Sequence, residues 1–123
     1  MTLKLARDIT KLKSLDRIVA EFAGYVNVYQ DTFDLEMLMG LAPGQKSYTY
    51  VPSFSESIAD SIQLLELAKT KGWYFELSCY GGGGMDYRCD LTPDEDMLPG
   101  KKEITKTANN LALTICLAIA EIK

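Results

Sequence analysis

The chain contains no histidine. That absence removes the commonest general base near neutral pH and the commonest metal ligand. No Ser-His-Asp or Cys-His arrangement can form within it. Cysteine is also sparse: Cys79, Cys89 and Cys116 are an odd set without paired C-x-x-C spacing. Such a set fits neither a disulfide framework nor a zinc site, and reads as buried thiols in a reducing compartment. Basic charge is short, with thirteen Lys and Arg against seventeen Asp and Glu and a net charge of −4. Duplex nucleic acid binding leaves a basic footprint, so no duplex partner is expected. A small anion is still possible, because one local pocket can be positive in an acidic protein. Long apolar runs are missing as well. The longest, Leu111 to Ala120, is about half a membrane span. Lys4, Arg7 and Asp8 interrupt the opening, where a signal peptide would be apolar. The expectation is a soluble cytoplasmic protein with no membrane partner.

What is present suits one packed domain over residues 1–123. Hydrophobic residues are 47% of the 123, and charged residues are 24%. That balance supports a core without disulfides and argues against a disordered chain. Leu5, Ile9 and Leu12 fall at helical spacing, as do Leu15, Ile18, Val19 and Phe22 before Gly24. The second set predicts a helix over about 15–23. Tyr25 to Tyr29 alternates and predicts a short strand. Leu35 to Leu41 could form one or two helical turns, and Tyr48 to Tyr50 a short edge strand. Ser53 followed by Glu56 reads as a capping box, and Gly72 as the C-terminal cap, which predicts a helix over about 54–71. A hairpin follows, with Trp73, Phe75, Leu77 and Cys79 on one face and Tyr74, Glu76, Ser78 and Tyr80 on the other. Gly81 to Gly84 makes its turn. Thr92 to Lys102 reads as a polar loop, and a closing helix is predicted over about 104–121. The order predicts an α+β fold: a small antiparallel sheet packed with three helices, α/β/α sandwich-like.

The closing helix is apolar nearly all round between Leu111 and Ala120, with Thr114 the one polar residue. A helix apolar on every side must be covered on every side. In so short a chain this predicts a homo-oligomer, a dimer or larger, joined through that helix.

Four stretches carry a family likeness. They are Leu15-Asp-Arg-Ile-Val-Ala-Glu-Phe-Ala-Gly24, Pro52-Ser-Phe-Ser-Glu-Ser-Ile58, Lys71-Gly-Trp-Tyr-Phe-Glu-Leu77, and Ala108-Asn-Asn-Leu-Ala-Leu-Thr-Ile-Cys-Leu-Ala-Ile-Ala120. Together they resemble the phage ABA sandwich family, small α/β/α proteins of phages and prophages. No single stretch is specific, and the 30–50 insert and the tetraglycine turn have no match in it. The resemblance implies a phage or prophage origin and no established catalytic motif. By analogy with other small phage proteins, it suggests a sponge that holds nucleotide signals of the Thoeris or CBASS immune systems without cleaving them.

The candidate ligand residues are Trp73, Tyr74, Tyr80, Gly82, Gly83, Arg88, Lys102, Asn109 and Asn110. The glycine run lets backbone amides approach a phosphate, but it lacks the lysine and Ser/Thr of a P-loop and also reads as a plain hairpin tip. Arg88, the one arginine of the C-terminal half, could fork onto phosphate or pair with Glu76 or Asp90 on a solvated face. Tyr74 and Tyr80 could stack on a base, and Trp73 is either core or a stacking platform. Lys102 could neutralise a phosphate. Asn109 and Asn110 interrupt the closing helix and could read a base edge. Asp94, Glu95 and Asp96 lack EF-hand spacing. No catalytic residue, cofactor or metal site is assigned. The leading expectation is a sponge for a cyclic ADP-ribose isomer or cyclic oligonucleotide. The alternative is a phage accessory protein that binds a host protein through the 30–50 insert and the acidic 94–96 loop.

Overall fold

The computed structural model describes residues 13–31, 37–80 and 86–122. Helix α1 covers 13–22. It buries Val19 and Ala20 completely and turns Asp16 inward beside them. Strands β1 (Val26–Gln30), β2 (Leu38–Leu41) and β3 (Tyr48–Tyr50) form an antiparallel sheet in that order. Helix α2 is Ile58–Thr70. Strands β4 (Trp73–Tyr80), β5 (Asp86–Pro93) and β6 (Ile104–Ala108) form a second antiparallel sheet, again in chain order. Helix α3 (Leu111–Ala120) packs against α2 and against β5 and β6. The protein is therefore α+β, and its described residues form three helices and two three-stranded sheets where the sequence pattern predicts one sheet.

The core joins Leu64, Leu65 and Ala68 of α2 to Leu91 of β5 and to Ile115, Cys116 and Ile119 of α3. Each fully buried aliphatic side chain contributes roughly 1.5–3 kcal/mol. No residue of α3 is exposed: six of its ten are buried and the other four half-buried. One chain thus covers most of its apolar circumference and leaves Leu111, Leu113, Leu117 and Ala120 half-buried, with Ile119, Ala120 and Ile122 lining an open apolar concavity beside Ile18 and Phe22. Thr114 sits in this apolar setting because its hydroxyl donates to Asn110 O at 2.7 Å.

Three boundaries differ from the sequence pattern, each for a physical reason. Ser53 to Glu56 is a turn rather than the first turn of α2, with Glu56 N–H donating to Ser53 O. That turn buries Phe54 and Ser55, and Ser57 caps α2 instead, its side chain accepting from Asp60 N–H. Leu38–Leu41 is a strand and not a helical turn, since β1 and β3 flank it and satisfy its backbone on both sides. Ile104–Ala108 is β6 and not the start of the last helix. The β-branched run Ile104-Thr105 and Thr107 pairs with Leu91 to Tyr87 across the sheet.

Gly72 links α2 to β4 at φ +98°, and a Cβ there would lie 3.0 Å from Met97 Cβ. Both its backbone and its missing side chain are required where the 94–100 loop folds over. Among the described residues no helix is long and apolar enough to cross a membrane.

Candidate functional site

The β4–β5 hairpin has strict register, from Trp73 opposite Pro93 to Tyr80 opposite Asp86. Alternation sends Trp73, Cys89 and Leu91 into the core and leaves Tyr74, Glu76, Arg88, Asp90 and Thr92 on the outer face. That outer face carries a shallow concavity of about 440 Å³ lined by Tyr74, Phe75, Glu76, Ser78, Arg88, Asp90, Thr92 and Glu103.

Register orders the chemistry into rows. Glu76 stands opposite Asp90, which stands opposite Thr105; Ser78 stands opposite Arg88, which stands opposite Thr107. Two carboxylates directly opposed repel each other. Arg88 relieves this from the next row, its Nε donating to both Asp90 oxygens at 3.0 Å. Thr105 donates its hydroxyl to Asp90 Oδ1 at 2.6 Å. Asp90 is held below its ordinary pKa, first by the Thr105 hydroxyl and then by Arg88. Tyr74 is 57% exposed and donates to Asp94 Oδ2 at 3.2 Å. The negative charge of Asp94 pushes its phenol up. Asp94 Oδ1 also accepts from Asp96 N–H, so this carboxylate organises its own turn.

Of the expected ligand residues, the structure brings Tyr74 and Arg88 into one concavity. Trp73 is a core residue, 3% exposed, and not a platform. Asn110 is the N-cap of α3, its side chain accepting from Leu113 N–H at 3.0 Å. Asn109 is exposed between β6 and α3. Both asparagines thus precede the helix they were expected to interrupt. Lys102 is exposed before β6, whereas Asn109 follows it, so the strand's length separates them. Tyr80 pairs through its backbone with Asp86 at the tip end of the ladder. Gly82 and Gly83 lie outside the described residues.

Sequence reasoning missed Ser78, Thr92, Thr105 and Glu103. The first two were legible from strand alternation. The last two were hidden because β6 reads as the start of a helix. Three carboxylates, Glu76, Asp90 and Glu103, face one guanidinium in the lining. The concavity therefore favours hydrogen-bond donors over high anionic charge. Among the described residues no three His, Cys, Asp or Glu side chains are grouped to hold a metal ion. Comparison with protein-family models, curated proteins and solved structures finds no match to this chain. The likeness to the phage family accordingly rests on the four sequence stretches.

Proposed function

We propose that this chain is a non-catalytic, phage-encoded binding protein of the host cytoplasm that sequesters a small nucleotide signal on the outer face of its second sheet. The observation that carries the reading is the meeting of Tyr74, Arg88 and a row of hydroxyls in one concavity. The exposed Tyr74 ring offers a stacking surface for a base. Glu76, Asp90 and Glu103 accept from ribose hydroxyls and base amino groups, while Ser78 and Thr92 bond in either direction. Arg88 is the cation for phosphate, and capture requires it to exchange Asp90 for a phosphate oxygen. One guanidinium among three carboxylates favours a signal with few phosphates, such as a cyclic ADP-ribose isomer, over a cyclic trinucleotide.

The test is capture and release. Purified protein is incubated with cyclic ADP-ribose isomers and cyclic di- and trinucleotides, washed and denatured, and the released mass is identified. One intact nucleotide in the filtrate, lost with Arg88→Ala, is the expected result. An empty filtrate across the panel overturns the reading, and a cleaved product makes the protein an enzyme.

A second reading has its own support in the acidic lining of the same face. A phage accessory protein that grips a basic segment of a host protein would use these carboxylates directly. A lysine- and arginine-rich peptide competing with nothing in the nucleotide panel, yet retained by the protein and released by salt, would favour it.

A further inference from the structure

We infer that the outer face of the first sheet is the docking surface for a second copy of this chain. Register fixes which side chains share this face. Met39 stands opposite Tyr29 and Tyr50, and Leu41 stands opposite Val26 and Tyr48. Leu38 and Gly40 point the other way, Leu38 buried in the core and Gly40 against Val28 and Val51. All six outward residues are apolar or aromatic, and none is Asp, Glu, Lys or Arg. Val26, Tyr29, Tyr48 and Tyr50 are between 42% and 55% exposed. At 150–250 Å² per aromatic side chain, three half-exposed rings alone present roughly 300 Å² to solvent. That is the scale of the largest apolar patch on an ordinary monomer, and such patches mark contacts.

The face is already ordered for contact. The Tyr29 and Tyr48 rings meet edge to face, with centroids 5.5 Å apart. Tyrosine has few rotatable bonds, so little freedom remains to be lost on docking.

Charge selects the occupant. The chain carries −4, and the concavity on its second sheet is acidic, so most approaches between copies bring like charges together. The first-sheet face presents no charge to oppose a copy. Its two ends differ in sign: Lys46 lies in the loop entering β3, and Asp31 closes the far end of β1, where its N–H donates to Met37 O. A two-fold copy turned end for end sets Lys46 of one protomer beside Asp31 of its partner, and does so twice. Strand addition is the poorer route, because one edge strand, β3, is only three residues long and the other, β1, is broken by a bulge between Val26 and Tyr29. Standard interfaces bury about 800 Å² per partner. A face of this size therefore gives a dimer that dissociates on dilution.

Sedimentation of the full chain over a concentration series tests this. The mass is expected to rise from 13.7 kDa toward twice that value. Tyr50→Lys should weaken association at least ~10-fold, because each substitution enters an isologous interface twice. A monomer at every concentration up to ~1 mM overturns the inference. A dimer indifferent to Tyr50→Lys overturns it too. Should that variant not fold, amide shifts of the wild-type chain decide. Concentration-dependent shifts confined to Val26, Tyr29, Met39, Leu41, Tyr48 and Tyr50 support the face, and shifts centred elsewhere reject it. No nucleotide is present in these experiments, so their outcome is independent of ligand capture.

Discussion

Arg88 and Asp90 lie two residues apart on one strand, and the guanidinium Nε donates to both carboxylate oxygens at 3.0 Å. The pair is partly solvated, with side chains 38% and 16% exposed, so its own contribution to stability is small. Its role is to hold charge in place opposite Glu76. The Thr105 hydroxyl is the largest single influence that lowers the Asp90 pKa, and Arg88 lowers it through both a hydrogen bond and its charge. Thr105→Val should therefore raise it toward the ordinary value of 3.8, and so should Arg88→Ala. A depressed carboxylate stabilises the fold above its unfolded pKa, and that contribution is lost as pH falls through the folded value. The difference between wild type and Thr105→Val should thus be full at neutral pH and shrink on acidification below about 3.8. Carboxyl titration by NMR checks both shifts. An unmoved Asp90 in Thr105→Val would refute the role of the hydroxyl.

Asp16 gives the opposite sign. Its side chain is buried beside the 53–56 turn, where Oδ1 accepts from Ser55 N–H at 2.9 Å and Oδ2 lies 3.7 Å from Lys13 Nζ without a hydrogen bond. Burial raises its pKa, against the pull of Ser55 and Lys13. A raised carboxyl stabilises the fold fully below 3.8, and that contribution is lost as pH rises through the folded value. Asp16→Asn keeps the acceptor for Ser55 and cannot ionise. Thermal unfolding from pH 3 to 8 should show this loss in wild type and a flatter profile in the variant. At pH 7 the variant should match or exceed wild type by about 1 kcal/mol. A variant weaker by several kcal/mol would show that the charge itself holds the turn.

Asn110→Ala removes the bond to Leu113 N–H and should cost about 1 kcal/mol in urea unfolding, while Asn110→Asp should restore most of it. Asn109→Ala, at an exposed position with no cap role, should stay within ~0.5 kcal/mol. Equal costs at the two positions would contradict the cap assignment.

The same asparagines show what the sequence could and could not reveal. Periodicity located α1, α2 and the β4–β5 hairpin, because each buries one face against a single core. It failed at β6 and so at the start of α3. Ile104-Thr-Lys-Thr-Ala and the apolar run after it read as one helix until the edge of β5 claims the first part as a strand. The Glu76–Asp90 row was legible from alternation. The Thr105 bond to Asp90 was not, because it depends on a strand pairing fifteen residues away. Ser53 carried a capping signal, yet burial of Phe54 outweighed it and moved the helix start to Ser57.

The three thiols should separate by reactivity. Burial pushes Cys89 up to about 12 and raises Cys116 as well, while Cys79 is exposed near the end of β4. The thiolate is the reactive form. Native protein should titrate one thiol quickly with a disulfide reagent, and all three after unfolding in urea. Two fast thiols in the native state would mean that the α3 packing opens readily.

Asn27 sets the composition of the apolar first-sheet face. Val26 stands opposite Leu41 and Tyr29 opposite Met39, so three residue steps on β1 match two on β2. Without the extra residue, strict alternation from Val26 would turn Val28 outward and Tyr29 inward, onto the face that Gly40 occupies. The bulge is made by Asn27, which sits at φ +56° in the left-handed region. Asparagine tolerates that conformation far better than a β-branched residue does. Asn27→Val should therefore cost ~1–2 kcal/mol in urea unfolding, and Asn27→Gly only a few tenths. Tyr29 should keep its edge-to-face contact with Tyr48 in the glycine variant, since glycine preserves the bulge. Concentration-dependent association should survive with it. Equal stability of the valine and glycine variants would mean that the strand slips register, and the ring contact between Tyr29 and Tyr48 would then be lost from the NMR spectrum.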